Sequence, residues 1–202
     1  MQVPAALHLC RLGYTYLDDI SDYNPDTNIL TGIFLRSLRR LNPELDETGS
    51  HQMLDKIVGM LRNDDLGKEF YTILSANSGL KLVDFENADN NEWHVTTEFT
   101  CENSDTGDSF RPDITCFVNG LPLAFIEVKK PNNHDGILAE RDRINRRMSN
   151  KAFRRFINIT QLMICSNNQE YDNDTRVPIP GAFYCSRSEN MALFNVFREA
   201  AT

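Results

Sequence analysis

The chain has 202 residues, of which 41% are hydrophobic, 25% charged and 9% aromatic, with a formal net charge of -8. This composition excludes a collagen-like, low-complexity or disordered chain and, with the length, fits one globular domain, or at most two small ones, with a real core. No apolar run approaches the roughly 18 residues that a membrane span needs, so no membrane partner is expected. The opening MQVPAALHLCRLGY has neither a basic leader nor a long apolar stretch, so no secretory signal is expected. Five scattered cysteines without a CxxC pair, and four histidines without an HExxH, argue against a zinc cage and for reduced thiols in a cytoplasmic protein.

In chain order, the first third reads as helical. Residues 3–12 end at Gly13, a C-cap signal. Residues 28–41 place Ile29, Leu30, Ile33, Phe34, Leu38 and Leu41 on one face, with Arg36, Arg39 and Arg40 turned away and Asn28 as the expected cap. Ser50 is expected to open a third helix with a Met53, Leu54, Ile57, Val58, Leu61 stripe, and 66–75 a fourth. Strand composition then takes over at 81–85, 94–99, 113–118, 123–129 and 156–165, with a helix over 136–148 and another near 189–200. The order predicts an α/β fold: a mixed central β-sheet flanked by helices. No linker interrupts it, so 1–202 reads as a single domain with a helical part to about 78 and a sheet core from about 79.

The stretch that carries chemistry is FRPDITCFVNGLPLAFIEVKKP, residues 110–131. It reads as a hairpin around Asn119-Gly120. Glu127 and Lys129 share one face of the second strand, and Ile126 and Val128 point the other way. A plain two-residue turn pairs 118 with 121 and sets Asp113 opposite Ile126, on the wrong parity. A three-residue connection, or one β-bulge, sets Asp113 opposite Glu127, and such a feature is expected here. Two converging carboxylates with an ammonium beside them suit a hard dication such as Mg²⁺, with Mn²⁺ as a substitute. That set supports metal-assisted hydrolysis of a phosphodiester, Lys129 orienting or deprotonating the water or neutralising charge. The plainer alternative is a Glu127–Lys129 surface ion pair with Asp113 as a strand cap.

The charge is unevenly spread. Residues 141–155, RDRINRRMSNKAFRR, hold seven of the 21 basic residues and one acid, Asp142, so this window is +6 and the rest of the chain -14. A solvated helix face and a DNA-backbone contact are the two readings. Beside a phosphodiester site the second gains weight, with Lys130, Arg141, Arg143, Arg146 and Arg147 as candidate contacts.

Pro112-Asp113 followed by Glu127-Val128-Lys129 resembles the PD-(D/E)xK nuclease core. The strings FRPDITCFVNGLPLAFIEVKKPNN, GILAERDRINRRMSNKAFRRFINITQLMICSNNQEYD and VPIPGAFYCS, with LGYTYL and NDDLGKEFYTIL, resemble the N-terminal nuclease region of type I restriction enzyme endonuclease (R) subunits. The resemblance implies a restriction-endonuclease-like core and a magnesium-dependent endonuclease acting on double-stranded DNA. It also implies assembly with modification and specificity subunits and a separate ATP-driven motor. By the match, Asp113 and Glu127 become metal ligands and Lys129 the catalytic lysine.

Two departures stand out. Residues 1–12 hold no Asp or Glu where such nucleases carry a first-helix acid, which leaves Glu98 as a candidate third ligand. Residues 132–160 lack the Gln-x-x-x-Tyr of many relatives and carry Glu140, Arg141 and Arg143 instead. No GxxxxGK[ST] loop occurs, so ATP is expected to act only through motor domains beyond this chain. A non-catalytic docking or DNA-binding module of the same complex, and a repair nuclease of the same fold, are the alternatives.

Overall fold

The computed structural model describes residues 2–102, 109–130, 136–166, 182–186 and 195–196. The elements follow in chain order as α1 (Gln2–Arg11), β1 (Thr15–Tyr16), β2 (Tyr23–Asn24), β3 (Ile29–Leu30), α2 (Thr31–Leu41), α3 (Glu47–Met60) and α4 (Lys68–Leu74). Then come β4 (Trp93–Thr97), β5 (Cys101–Glu102), β6 (Ser109–Phe110), β7 (Ile114–Val118) and β8 (Leu121–Val128). The last are α5 (Gly136–Ser149), α6 (Arg154–Ile159), β9 (Leu162–Ser166), β10 (Ala182–Ser186) and β11 (Asn195–Val196). Among the described residues seven strands form one mixed sheet in the order β1-β4-β7-β8-β9-β10-β11. β8 is central, antiparallel to β7 and parallel to β9. A parallel neighbour needs a crossover, and α5 and α6 supply it. This is the α/β, mixed-sheet architecture read from the sequence.

The sheet's two faces are filled differently. On one, Val95, Ile114, Cys116, Ala124, Ile126 and Val128 pack against Ala5 and Leu9 of α1. On the other, Phe117, Phe125, Met163 and Cys165 pack against Ile144 of α5 and Phe156 of α6. A second cluster joins α2, α3 and α4 through Phe34, Leu38, Ile57, Leu61 and Phe70 to the turn end of the β7–β8 hairpin at Val118 and Leu121. Each such fully buried side chain contributes about 1.5–3 kcal/mol. Among the described residues no helix is long and apolar enough to cross a membrane.

Several local expectations are corrected. Residues 81–85 are not a strand: asparagine side chains satisfy their backbone where a ladder would otherwise do so. Asn42 bonds both the N–H and the carbonyl of Lys81, Asn119 donates to the carbonyl of Leu82, and Asn91 accepts from Asp84 N–H. The run 156–165 splits at Thr160 into α6 and β9. Phe156 to Thr160 are all buried, so helical periodicity leaves no polar face to read. Ser50 lies within α3, and Asp46 caps that helix by accepting from Gly49 N–H at 2.7 Å. Asn28 has φ of 60° and precedes β3, so it does not cap α2. Within 189–200, residues 195–196 are strand β11, and the other positions lie outside the described residues. Arg36 and Arg40 are turned away from the apolar face of α2, as expected, and both pair with Glu92, at 2.6 and 3.2 Å.

The hairpin turn is tied down by one side chain. Asn119 and Gly120 both have positive φ, 52° and 80°, as a tight two-residue turn demands. Asn119 also accepts from Glu92 N–H and donates to the carbonyl of Leu82 and to Asn91 Oδ1, and it is 1% exposed. Asn119→Ala is therefore expected to destabilise the fold by about 3 kcal/mol in urea unfolding, because several buried partners lose their bonds at once. A loss below about 0.5 kcal/mol, the ordinary surface range, would contradict this role.

Candidate active site

The geometry of the site begins with one surplus residue. At the turn, Val118 pairs with Leu121 and Phe117 with Pro122. The register then shifts, so Cys116 faces Ala124 and Ile114 faces Ile126, leaving Leu123 unmatched. A two-residue turn with a β-bulge is thus the solution adopted. It carries Asp113, just before β7, opposite Glu127 near the end of β8. The side chain of Asp113 bridges back to that strand: its Oδ2 accepts from Val128 N–H at 2.8 Å. Its Oδ1 accepts from Gln2 Nε2 of α1 at 2.7 Å.

Glu127 is 4% exposed and Lys129, two residues on, reaches the same pocket. Lys129 Nζ lies 3.6 Å from Glu127 Oε2 and 2.9 Å from Glu140 Oε2. Arg147 Nη1 stands 3.6 Å from Glu127 Oε1 and 3.5 Å from Glu140 Oε1. Its guanidinium sits 3.8 Å above the ring of Phe110, a cation–π floor. Arg143 Nη1 donates to Glu140 Oε2 at 2.8 Å. The residues Glu140, Arg143 and Arg147 recur at helical spacing, so α5 presents all three to the end of β8.

Burial, then the negative charges of Glu140 and Asp113, push the Glu127 carboxyl up to about 7, against the opposing pull of Lys129 and Arg147. For Lys129, burial acts to lower the amine, but the hydrogen bond to Glu140 and the charges of Glu140, Glu127 and Asp113 outweigh it. The amine is held above its ordinary value. Lys129 is therefore an ammonium at neutral pH, and Glu127 is a carboxyl pushed up to about 7.

Asp113 faces Glu127 in the register and adds its charge to the surroundings of Glu127 and Lys129, which lie 3.6 Å apart. Glu98 has φ of 55° and its N–H bonds the Asp113 carbonyl, while its half-exposed carboxylate pairs with Arg111 at 3.5 Å. Lys130 and Arg146 are exposed, and Arg143 is half exposed beside Glu140. Arg147 turns inward to the carboxylates and is only 21% exposed. The side chain of Arg141 lies outside the described residues. Sequence reasoning left Glu140 without a role and missed Gln2 and Phe110. The i, i+3, i+7 spacing of Glu140 with Arg143 and Arg147, beside the core residue Ile144, is the signal that marks Glu140 as inward-facing. Among the described residues no group of three or more His, Cys, Asp or Glu side chains is placed to hold a metal. Asp113 and Glu127 are the pair on offer, because Glu140 is taken up by three cations.

The model of the family "Type I restriction enzyme R protein N terminus" matches residues 1–172. The chain belongs to this family. Among relatives of this R protein N-terminal chain is a putative type I restriction enzyme MjaIXP endonuclease subunit of Methanocaldococcus jannaschii. It is 32% identical over 155 residues, covering 64% of this chain and 15% of the relative. Another is the type I restriction enzyme HindI endonuclease subunit of Haemophilus influenzae, 31% identical over 114 residues, covering 47% of this chain and 10% of the relative. The R protein N-terminal chain thus spans a small fraction of the curated subunits it matches.

The raised Glu127 carboxyl has a thermodynamic consequence. The folded state holds its proton more tightly than the unfolded chain does, so stability is full below the ordinary Glu value and falls as pH rises towards about 7. The slope is at most about 1.4 kcal/mol per pH unit. In metal-free buffer, Glu127→Gln is expected to melt close to wild type at pH 4.5 and above it at pH 8. Equal melting differences at both pH values would contradict the burial argument.

Proposed function

We propose that this chain is the magnesium-dependent nuclease domain of a type I restriction endonuclease subunit, a single PD-(D/E)xK-type domain hydrolysing DNA phosphodiester bonds. In this reading it works in the cytoplasm within a complex that includes modification and specificity subunits, and motor domains beyond this chain use ATP to deliver double-stranded DNA. The observation that carries it is the convergence of Asp113, Glu127 and Lys129, set by the bulge, in a chain of this family.

The residues present fit a hard dication. The donors are carboxylate oxygens, and Mg²⁺ needs only one or two of them because it keeps several waters. Glu127 is buried among negative charges that a cation would relieve. Asp113 and Glu127 would hold the ion, and bound there Mg²⁺ supplies an activated water and neutralises phosphoryl charge. The chain's own residues do the rest. Gln2 and Val128 N–H orient the Asp113 carboxylate. Lys129, as an ammonium, donates a hydrogen bond to the phosphoryl oxygen and offsets charge that develops there. Lys130, Arg143 and Arg146, on the outer side of the site, supply contacts to the DNA backbone without reading sequence.

A docking module without catalysis is the second reading. What favours it is Gln2, an amide where the family resemblance expects a first-helix acid, bonded to Asp113. One experiment separates the two: calorimetry with Mn²⁺ and Mg²⁺, alongside plasmid nicking. The nuclease reading expects metal binding that Asp113→Ala and Glu127→Ala abolish. It also expects Lys129→Ala to keep the metal and lose about a hundredfold or more in nicking rate. Replacing Arg146 and Lys130 by Ala should flatten the salt dependence of DNA binding by about one unit of slope per lost phosphate contact. Metal binding unaffected by Glu127→Ala, or nicking unaffected by Lys129→Ala, overturns the assignment. A wild-type chain that neither binds metal nor nicks DNA supports the docking module.

A further inference from the structure

We infer that Glu140 of α5 is the positioning residue for Lys129, holding its ammonium at a fixed point beside Glu127. The role of that fixed point in catalysis rests on the nuclease reading above, but the restraint itself does not.

Glu140 is 0% exposed, an expensive place for a carboxylate unless its surroundings are built for it. Its Oε2 accepts from Lys129 Nζ at 2.9 Å and from Arg143 Nη1 at 2.8 Å. That leaves the lysine closer to Glu140 than to Glu127, at 3.6 Å. The three cations are not alike in freedom. Arg143 is half exposed, and Arg147 is anchored on Phe110, but Lys129 hangs just past the end of β8 on a flexible four-carbon stem. A compact ammonium on such a stem takes its position from its strongest partner. Ile144, one turn further along α5, is fully buried against the sheet, so Glu140 cannot drift from the lysine without unpacking the helix.

A purely structural role would be to neutralise Arg147. The geometry gives that pair the smaller part, because Arg147 Nη1 stands 3.5 Å from Glu140 Oε1, the longest of the three contacts. The short bonds of Glu140 go to Lys129 and Arg143.

The test uses the whole chain and two readouts. The first is the ¹H–¹⁵N signal of lysine ammonium groups by NMR, which sharpens when an ammonium is held and its protons exchange slowly. Lys129→Ala assigns the resonance, and Glu140→Gln is expected to abolish it. The second is single-turnover plasmid nicking with Mg²⁺. Glu140→Gln should slow it about tenfold to a hundredfold, the usual cost of losing an orienting partner. DNA affinity should be unchanged, and adding Glu140→Gln to Lys129→Ala should cost nothing further. A Lys129 resonance that persists in Glu140→Gln overturns the inference. So does a double variant slowed by the full product of the single effects, because Glu140 would then act independently of the lysine. If wild type shows the held ammonium but no nicking, the inference stands and the nuclease reading fails.

Discussion

A single surplus residue in β8 decides what this fold can do. Strand side chains alternate with a period of two, so a hairpin closed by a two-residue turn would leave Asp113 facing an apolar residue. The bulge at Leu123 restores the parity. With it, an aspartate before one strand stands opposite a glutamate near the end of the next, and its charge is felt there. The turn that fixes this register is itself held by Asn119, whose side chain ties the hairpin to the segments at Leu82 and Asn91–Glu92.

Around that juxtaposition the protein gathers more charge than a stable core would choose. Glu127, Glu140, Lys129 and Arg147 are all largely or wholly withdrawn from water. Replacing such a network with packed hydrophobes is often neutral or stabilising, so its presence calls for a purpose beyond folding. The balance is also uneven. Among the described residues the ion-pair contacts of Glu127 are at 3.6 Å, whereas Glu140 makes shorter ones. The cluster therefore keeps one carboxylate close to protein cations and another raised towards neutrality. α1 closes the arrangement from the opposite side, its Gln2 amide holding Asp113 in place.

Much of this was legible before any coordinates. Alternation along LAFIEVK placed Glu127 and Lys129 on one face, and the parity conflict with Asp113 demanded a bulge or a longer turn. Other features lay beyond local pattern. KLVDF has strand composition, but Asn42, Asn91 and Asn119 are distant in sequence and satisfy its backbone instead. FINIT reads as a strand because its helix is buried all round. The run 141–155 reads as one basic block, yet Arg147 serves the carboxylates and Arg154 and Arg155 pair with Asp64 and Asp26. Charge counts cannot separate a cation aimed at solvent from one aimed at a buried acid. Helical spacing from Glu140 could have done so.

The most direct measurement is an anomalous difference map from crystals of this chain soaked in manganese. The arrangement described here predicts one strong peak within bonding distance of both the Asp113 and Glu127 carboxylates, with Lys129 beside it and Glu140 still on the lysine. A map with no peak there, or with manganese bound at other carboxylates while Glu127 keeps its present contacts, would contradict it.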